Sequence, residues 1–424
     1  MSKIQAIRGM NDLLPLEAQK FHYVTNTIAE LISTYGFEPI AFPILEKTEL
    51  FIRGIGTHTD VVEKEMYTFL DRNDESLSLR PEGTAGCVRA ALEHGLLHNQ
   101  IQKLWYSGPM FRYERPQKGR YRQFHQLGVE TFGIASADID AEVISIFAAI
   151  LKKLGLKTHA RLELNNLGQK DERAQFRQAL TAYLEQYRQD LDEDSQRRLA
   201  TNPLRILDSK VESTKNILQN APKLADYLSP KTQAHFENVI TRLEAIGIPY
   251  VLNPHLVRGL DYYNLTAFEW TTDLLGSQSA IGGGGRYDSL VTELGGDNTP
   301  AFGFAIGLER LILLLDQINA YPTLNHTPDV FLVAVGAEAA IQGFKLMQTL
   351  RDHNISTHMS HGDTSFKNQF KKADKSGARF AIIIGEDELK NNEVSLKYLR
   401  EDHPQANISY TKVTEHLLEI KKRT

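Results

Sequence analysis

The sequence predicts an α+β fold, an antiparallel sheet domain carrying a helical insertion, followed by a smaller α/β domain. Three observations predict it. Short strand-like runs separated by turns, with helices set between them, recur from residue 66 to residue 281. Residues of about 166 to 245 change texture, being rich in Gln, Arg, Glu and Asp with helical periodicity, as in DERAQFRQALTAYLEQYRQDL. Beyond the Pro/Asn/Thr-rich linker AYPTLNHTPD, apolar strands alternate with helices. A chain of 424 residues holds two or three domains with ample core. The boundaries follow as 1–325 for the first domain, with its insertion, and 329–424 for the second.

Taken in order, Pro15 opens a helix with Phe21, Val24, Ile28, Leu31, Ile32 and Tyr35 on one side, and Gly36 ends it. The extended segment 37–45 contains Pro39 and Pro43, which cannot donate to a ladder. That marks an edge, or a strand meeting something other than its own sheet. Strands are predicted over 66–70, 76–79, 103–111, 120–133, 251–253, 267–272 and 279–281. In the second domain, an apolar run at 330–335, a helix to His353, 355–359, a helix to Gly377 and 380–384 give a small parallel α/β pattern.

Net charge is −5, hydrophobic content 42% and charged content 24%, which describe an ordinary soluble chain rather than an indiscriminate nucleic-acid binder. The N-terminus has no apolar signal segment and no run reaches membrane-spanning length, so a cytoplasmic protein without a membrane partner is expected. The single cysteine, Cys87 in TAGCVRAAL, excludes a disulfide framework and a cysteine-built zinc site, and reads as a small helical core residue.

The chemistry concentrates in FRYERPQKGRYRQFHQLGVE, residues 111–130. Arg112, Arg115, Arg120, Arg122 and Lys118 flank the turn-forming Pro116-Gln117-Lys118-Gly119, interleaved with Phe111, Tyr113, Tyr121 and Phe124. Guanidinium forks bind phosphate and flat rings stack on bases, while Glu130 closes the run with a carboxylate. A solvated basic hairpin is the plain alternative, but the basic residues are concentrated in a chain that is acidic overall. Four further clusters stand out. Glu82-Gly83-Thr84 sets an acid and a hydroxyl at a helix start, where the acid either holds an ammonium group or simply serves the helix dipole. VRGLDYY, residues 257–263, offers an arginine and two tyrosines, or an aromatic hairpin. Gly282-Gly283-Gly284-Gly285 before Arg286 permits close backbone approach, but its default reading is a flexible turn. AFGFAIGLERL, residues 301–311, is a small-residue strand entering a helix, and Arg310 there needs an anionic partner, phosphate or a carboxylate such as Glu309. His358 and His361, near Asp363, are better explained as a solvated turn than as a metal site.

Together these motifs resemble, in order and over nearly the whole chain, the histidyl-tRNA synthetase family of class II aminoacyl-tRNA synthetases. Residues 111–130 are similar to that class's motif 2 and residues 301–311 to its motif 3. The helix from Pro15 with the segment ending at Pro43 resembles the dimer-forming motif 1. VRGLDYY and GGGGRYD resemble the family's two signature peptides. The resemblance implies a class II antiparallel catalytic domain plus a C-terminal anticodon-binding domain, acting on ATP, L-histidine and tRNA(His) as a homodimer. Mg2+ would arrive with ATP, without dedicated protein ligands.

The resemblance also implies roles. Arg112 would contact the ATP α-phosphate and the amino-acid carboxylate, and Arg258 would stand near the α-phosphate, making these two the catalytic pair. Phe124 would stack on adenine with Glu114 near its edge, while Arg120 and Arg310 would clamp the β- and γ-phosphates. Glu82, Gly83, Thr84 and Gln126 would hold the α-amino end, and Glu130, Tyr263 and Tyr262 the imidazole. Lys367, Lys371, Lys372 and Lys375 at helical spacing would face tRNA, and the insertion would touch the acceptor stem. The rival readings are the synthetase-like regulatory subunit of ATP phosphoribosyltransferase, an RNA-binding or sensor module, and a class II synthetase for glycine, proline or threonine.

Overall fold

The computed structural model describes residues 3–57, 59–209, 211–322, 324, 327–362 and 365–422, without the side chains at 208, 277 and 278. The chain divides into two compact units, Met1–Pro322 and Thr323–Thr424. The expected boundary residue Asn325, and Asp363 of the second unit, lie outside the described residues.

The first unit opens with α1 (Pro15–Ser33), whose proline sits in the first turn and whose stripe Val24, Ile28 and Ile32 is buried. Gly36 follows with φ of 76° and turns the chain. Of the extended segment, only β1 (Glu38–Pro39) joins the main sheet, at one edge and parallel to its neighbour, where a proline costs no ladder bond. A separate three-stranded sheet follows from β2 (Leu45–Lys47), β3 (Tyr67–Leu70) and β4 (Ser76–Leu79), with α2 (Thr48–Ile55) between the first two. Then come α3 (Thr84–Glu93), the long antiparallel pair β5 (Gln102–Phe111) and β6 (Gln123–Phe132), α4 (Ala137–Lys153) and β7 (Arg161–Asn166). The segment between β7 and the next strand carries α5 (Lys170–Glu185), α6 (Glu193–Thr201), α7 (Glu212–Leu218) and α8 (Pro230–Ala245). A core of their own, including Phe176, Leu180, Leu184, Leu199 and Ile206, holds α5, α6 and α7 together, while α8 packs on the main core through Val239 and Leu243. The unit closes with β8 (Tyr250–Leu252), β9 (Asn264–Thr271), β10 (Ala280–Arg286), α9 (Ser289–Glu293), β11 (Ala301–Gly307) and α10 (Leu308–Ile318).

The main sheet runs β1-β5-β6-β11-β10-β9-β7-β8, antiparallel except at its two edges. Its central strands obey the two-residue alternation of a pleated sheet with unusual contrast. On β11, Phe302, Phe304 and Ile306 point into the core with Leu127 and Val129 of β6 and Phe268 and Trp270 of β9. The core is completed by α1, α4, α8 and α10. The opposite face of β11 carries only Ala301, Gly303, Ala305 and Gly307. That leaves a shallow floor in the middle of the sheet.

Two sequence expectations change here. The glycine run is not a flexible turn but the buried strand β10, paired on both sides. A Cβ on Gly284 would lie 1.9 Å from the Gly303 carbonyl oxygen, so the glycines bring neighbouring backbones closer than side chains allow. The strand expected from residue 120 begins at Gln123, because Gln117 and Arg120 close a tight turn by exchanging backbone hydrogen bonds of 3.0 and 2.9 Å.

The second unit contains β12 (Val330–Ala334), α11 (Ala337–Asp352), β13 (Thr357–Met359), α12 (Phe366–Lys375), β14 (Phe380–Ile384), α13 (Glu386–Asn391), β15 (Glu393–Tyr398), β16 (Ala406–Ser409) and α14 (Val413–Lys422). Its sheet, β13-β12-β14-β15-β16, is parallel through its first three strands. It is antiparallel through the last two, which corrects the all-parallel expectation. The reason is β15, which turns straight back on β14 after the short α13 with no crossover long enough to keep the direction.

Candidate active site

A cavity of about 430 Å³ opens over the flat part of the sheet. Its floor is Gly282 and Gly283 of β10 with Ala305 and Gly307 of β11. Every residue to which the resemblance gives a role toward ATP or histidine lines it except Gly83 and Glu130. The hairpin β5–β6 explains much of this. Alternation along β6 sets Phe124, Gln126, Gly128 and Glu130 on the site face while Leu127 and Val129 enter the core. Gly128 stands opposite Tyr106 in register, and a Cβ there would lie 2.2 Å from the Tyr106 ring. The missing side chain makes room for that ring.

Arginine dominates one end of the cavity. Arg112 follows β5, donates Nε to the Pro81 carbonyl at 2.8 Å, and holds its guanidinium 5.3 Å from the centroid of Phe124. Burial pushes Arg112 below the usual arginine range. Arg310, in the first turn of α10, donates to the carbonyls of Gly119 at 3.1 Å and Ala280 at 2.8 Å. Burial, then the like charges of Arg112 and Arg120, depress its pKa. Glu309, the carboxylate proposed from sequence as its partner, instead accepts the His125 backbone N–H at 2.9 Å and contacts His125 Nδ1 at 2.8 Å. Arg120 pairs closely with Glu114 and lies 3.7 Å from Glu65.

The other end is acidic and aromatic. Glu82 caps α3, accepting the backbone N–H of Thr84 at 2.7 Å and of Ala85 at 2.8 Å. The helix-start role is therefore real, and it leaves the carboxylate facing the cavity as well. Burial raises the Glu82 pKa against these hydrogen bonds. Tyr262 and Tyr263 meet at a tilt of 44° with ring centroids 4.7 Å apart. Beneath them Glu130 is 1% exposed and stands behind the cavity wall. It accepts the Thr84 hydroxyl at 2.7 Å, the Tyr106 hydroxyl at 3.1 Å and the Tyr287 hydroxyl. Burial raises its pKa to about 8 although all three hydroxyls favour the charge. Between the two ends, Arg258 bonds Glu269 of β9 at 2.9 Å. Burial works against the Arg258 charge, but Tyr263 and Glu269 outweigh it and raise its pKa.

Two residues that line the cavity each carry a buried side-chain atom with no hydrogen-bond partner among the described residues: Oε1 of Gln126 and Nε of Arg258. One is an acceptor and one a charged donor, so a ligand that satisfies both carries a donor group and an anionic group. Sequence reasoning missed Glu269 and Tyr106, and gave no role to Tyr287 of GGGGRYD. Alternation on β9 sets Glu269 on the face opposite Phe268 and Trp270, which is a usable signal. Tyr106 reaches Glu130 through strand pairing and carries no local signal, while Tyr287 reaches it from the residue after β10.

The family described as Histidyl-tRNA synthetase matches residues 9–311, and an anticodon binding domain matches residues 329–420. A histidine--tRNA ligase from Marinomonas sp. (strain MWYL1) is 57% identical over 398 residues, covering 93% of this chain and 94% of its own. The crystal structure of apo histidyl-tRNA synthetase from S. aureus is similar with a TM-score of 0.83 and 36% identity, over 98% of this chain and 100% of that one. An ATP phosphoribosyltransferase regulatory subunit/histidyl-tRNA synthetase from Bacillus halodurans C shares the fold at 22% identity and a TM-score of 0.63, over 88% of this chain and 97% of its own.

Proposed function

The chain belongs to the histidyl-tRNA synthetase family, and from that premise we propose that it charges tRNA(His) with L-histidine by way of histidyl-adenylate. The observation that carries the reading is the pair of unsatisfied buried atoms, Gln126 Oε1 and Arg258 Nε, in one cavity between clustered arginines and a buried acid. An amino acid and a nucleotide phosphate meet those demands together. The 57% identity to a histidine--tRNA ligase and the anticodon-domain match favour this over the regulatory-subunit alternative.

In the first step a carboxylate oxygen of histidine attacks the ATP α-phosphorus, the bond to the bridging oxygen breaks, and pyrophosphate leaves. In the second, the terminal ribose hydroxyl of tRNA attacks the adenylate carbonyl and AMP departs. The attacking carboxylate is already ionised at neutral pH, so activation asks for positioning and charge stabilisation rather than a base. Arg112 holds the carboxylate and α-phosphate, with Arg258 beside it. Phe124 stacks on adenine, its ring already shared with the Arg112 guanidinium. Arg310 and Arg120 take the pyrophosphate end, and Arg120 exchanges Glu114 and Glu65 for phosphate as it does so.

Glu82, Thr84 and Gln126 hold the ammonium group, with the Gly83 backbone beside them. Tyr262 and Tyr263 form the imidazole slot, and Glu130 supports it from one hydrogen bond behind, as the acceptor of the Thr84 hydroxyl. Mg2+ arriving with ATP would supply positive charge for the leaving pyrophosphate beside Arg120 and Arg310. The cavity acids are engaged, Glu114 with Arg120, Glu269 with Arg258 and Glu309 with His125, which fits an ion held through ATP. A homodimer built on α1 and the segment after it, and a cytoplasmic location, belong to the same proposal. Among the described residues no helix is long and apolar enough to cross a membrane.

The test is charging of tRNA with labelled histidine. Wild-type protein should charge tRNA(His), and Arg112→Gln should lose about 100-fold or more in kcat/KM. Equal charging by the variant would contradict the arginine assignment.

A further inference from the structure

The loop that carries Arg258, Tyr262 and Tyr263 is gripped by the helical insertion. Arg205 donates Nη2 to the Gly259 carbonyl at 3.0 Å and pairs through Nη1 with Asp60 at 2.6 Å. Asn202 reaches the Asp261 carboxylate at 3.3 Å, and Arg173 of α5 donates to the Tyr263 carbonyl. Of the gripped positions 259, 261 and 263, the first and last line the cavity together with Arg258 and Tyr262, and Arg205 itself reaches its rim. Just past the loop, Leu265 adopts φ of 48°, an uncommon conformation for a leucine. It is held there by backbone hydrogen bonds with Leu167 at 2.7 Å and Gly168 at 3.0 Å, where the insertion begins. A strained backbone persists only where its surroundings over-determine it.

We propose that the insertion is the positioning device of the 258–263 loop, and that Arg205 is its principal positioning residue. Histidine activation then depends on the insertion even before tRNA arrives. The mechanism rests on the proposed use of Arg258 and the two tyrosines in that activation. Arg205 acts by fixing where Arg258 points, and small misplacements of such a group cost rate more than affinity.

Full-chain Arg205→Ala tests it with two independent readouts. Hydrogen exchange of segment 256–265 in the free protein should accelerate about tenfold, since local opening is what the grip suppresses. In tRNA-free, histidine-dependent ATP–pyrophosphate exchange, kcat should fall about tenfold with KM for histidine and ATP changed less. Arg205→Lys, which keeps the charge but loses the fork, should fall between the two. Unchanged loop exchange overturns the proposal, as does a loosened loop with normal kcat. A raised ATP KM with an undisturbed loop also overturns it, because Arg205 would then be a substrate contact. If Arg205→Ala fails to fold, Asn202→Ala is read by the same two measurements. A wild-type protein without histidine-dependent exchange would sink the functional reading, while hydrogen exchange still decides the grip.

Discussion

Glu130 concentrates the energetics of the site. It is a buried acid among three hydroxyl donors, and burial still wins, lifting its pKa from 4.5 to about 8. The native state therefore keeps a proton that the unfolded chain releases, and the sign follows from linkage. The contribution is present in full below about pH 4.5 and is lost as pH rises through about 8. Glu130→Gln should remove that part of the slope, which denaturant midpoints measured from about pH 5 to about pH 9 will show. A variant with the wild-type slope would mean that Glu130 is already ionised in the fold. Gln126 makes a simpler prediction. Its unpartnered Oε1 awaits a donor, and hydrogen bonds to charged groups contribute about 1.5–3 kcal/mol. Gln126→Ala should then raise the KM for histidine about 10- to 100-fold while melting within a degree or two of wild type, as followed by exchange kinetics and thermal unfolding.

At the scale of elements, the site exists because β11 and β10 carry almost no side chains on one face. A Cβ at Gly303 would lie 1.9 Å from Glu130 Oε2 and 2.4 Å from the Val129 carbonyl. Gly303→Ala should therefore cost about 1–3 kcal/mol of stability by overpacking and displace Glu130 from its hydroxyls. A lowered melting temperature together with weakened histidine binding is the expected pair, and a silent substitution would contradict the packing. Part of this was legible in the chain. AFGFAIG alternates large and small residues at the strand period, and Pro15 and Gly36 bracket α1. GGGG was not legible as a strand, because glycine offers no side chain to alternate and its conformational freedom reads locally as a turn. The arginines and Gln126 could be found from their motifs. Tyr106 could not, since it meets Glu130 through strand register, and Tyr287, although inside GGGGRYD, gives no local sign of its reach to Glu130. The pairing of Arg120 with Glu114 was likewise invisible, because each had been assigned to a different part of the nucleotide.

At the scale of the molecule, each unit has its own core, one centred on the main sheet and one on β12, β14 and β15. Domains with separate cores fold separately, so a chain ending at residue 322 should keep amino-acid activation and lose most tRNA charging. Parallel pyrophosphate-exchange and charging assays on that truncation check it, and equal loss of both would tie activation to the second unit. The exposed lysines of α12 fit the tRNA side of this division. The central claim is that one cavity selects histidine and joins it to a nucleotide phosphate. ATP–pyrophosphate exchange measured with each of the twenty amino acids tests it most directly. Exchange that responds to histidine alone is the predicted result. Exchange driven by another amino acid, or by none, would contradict it.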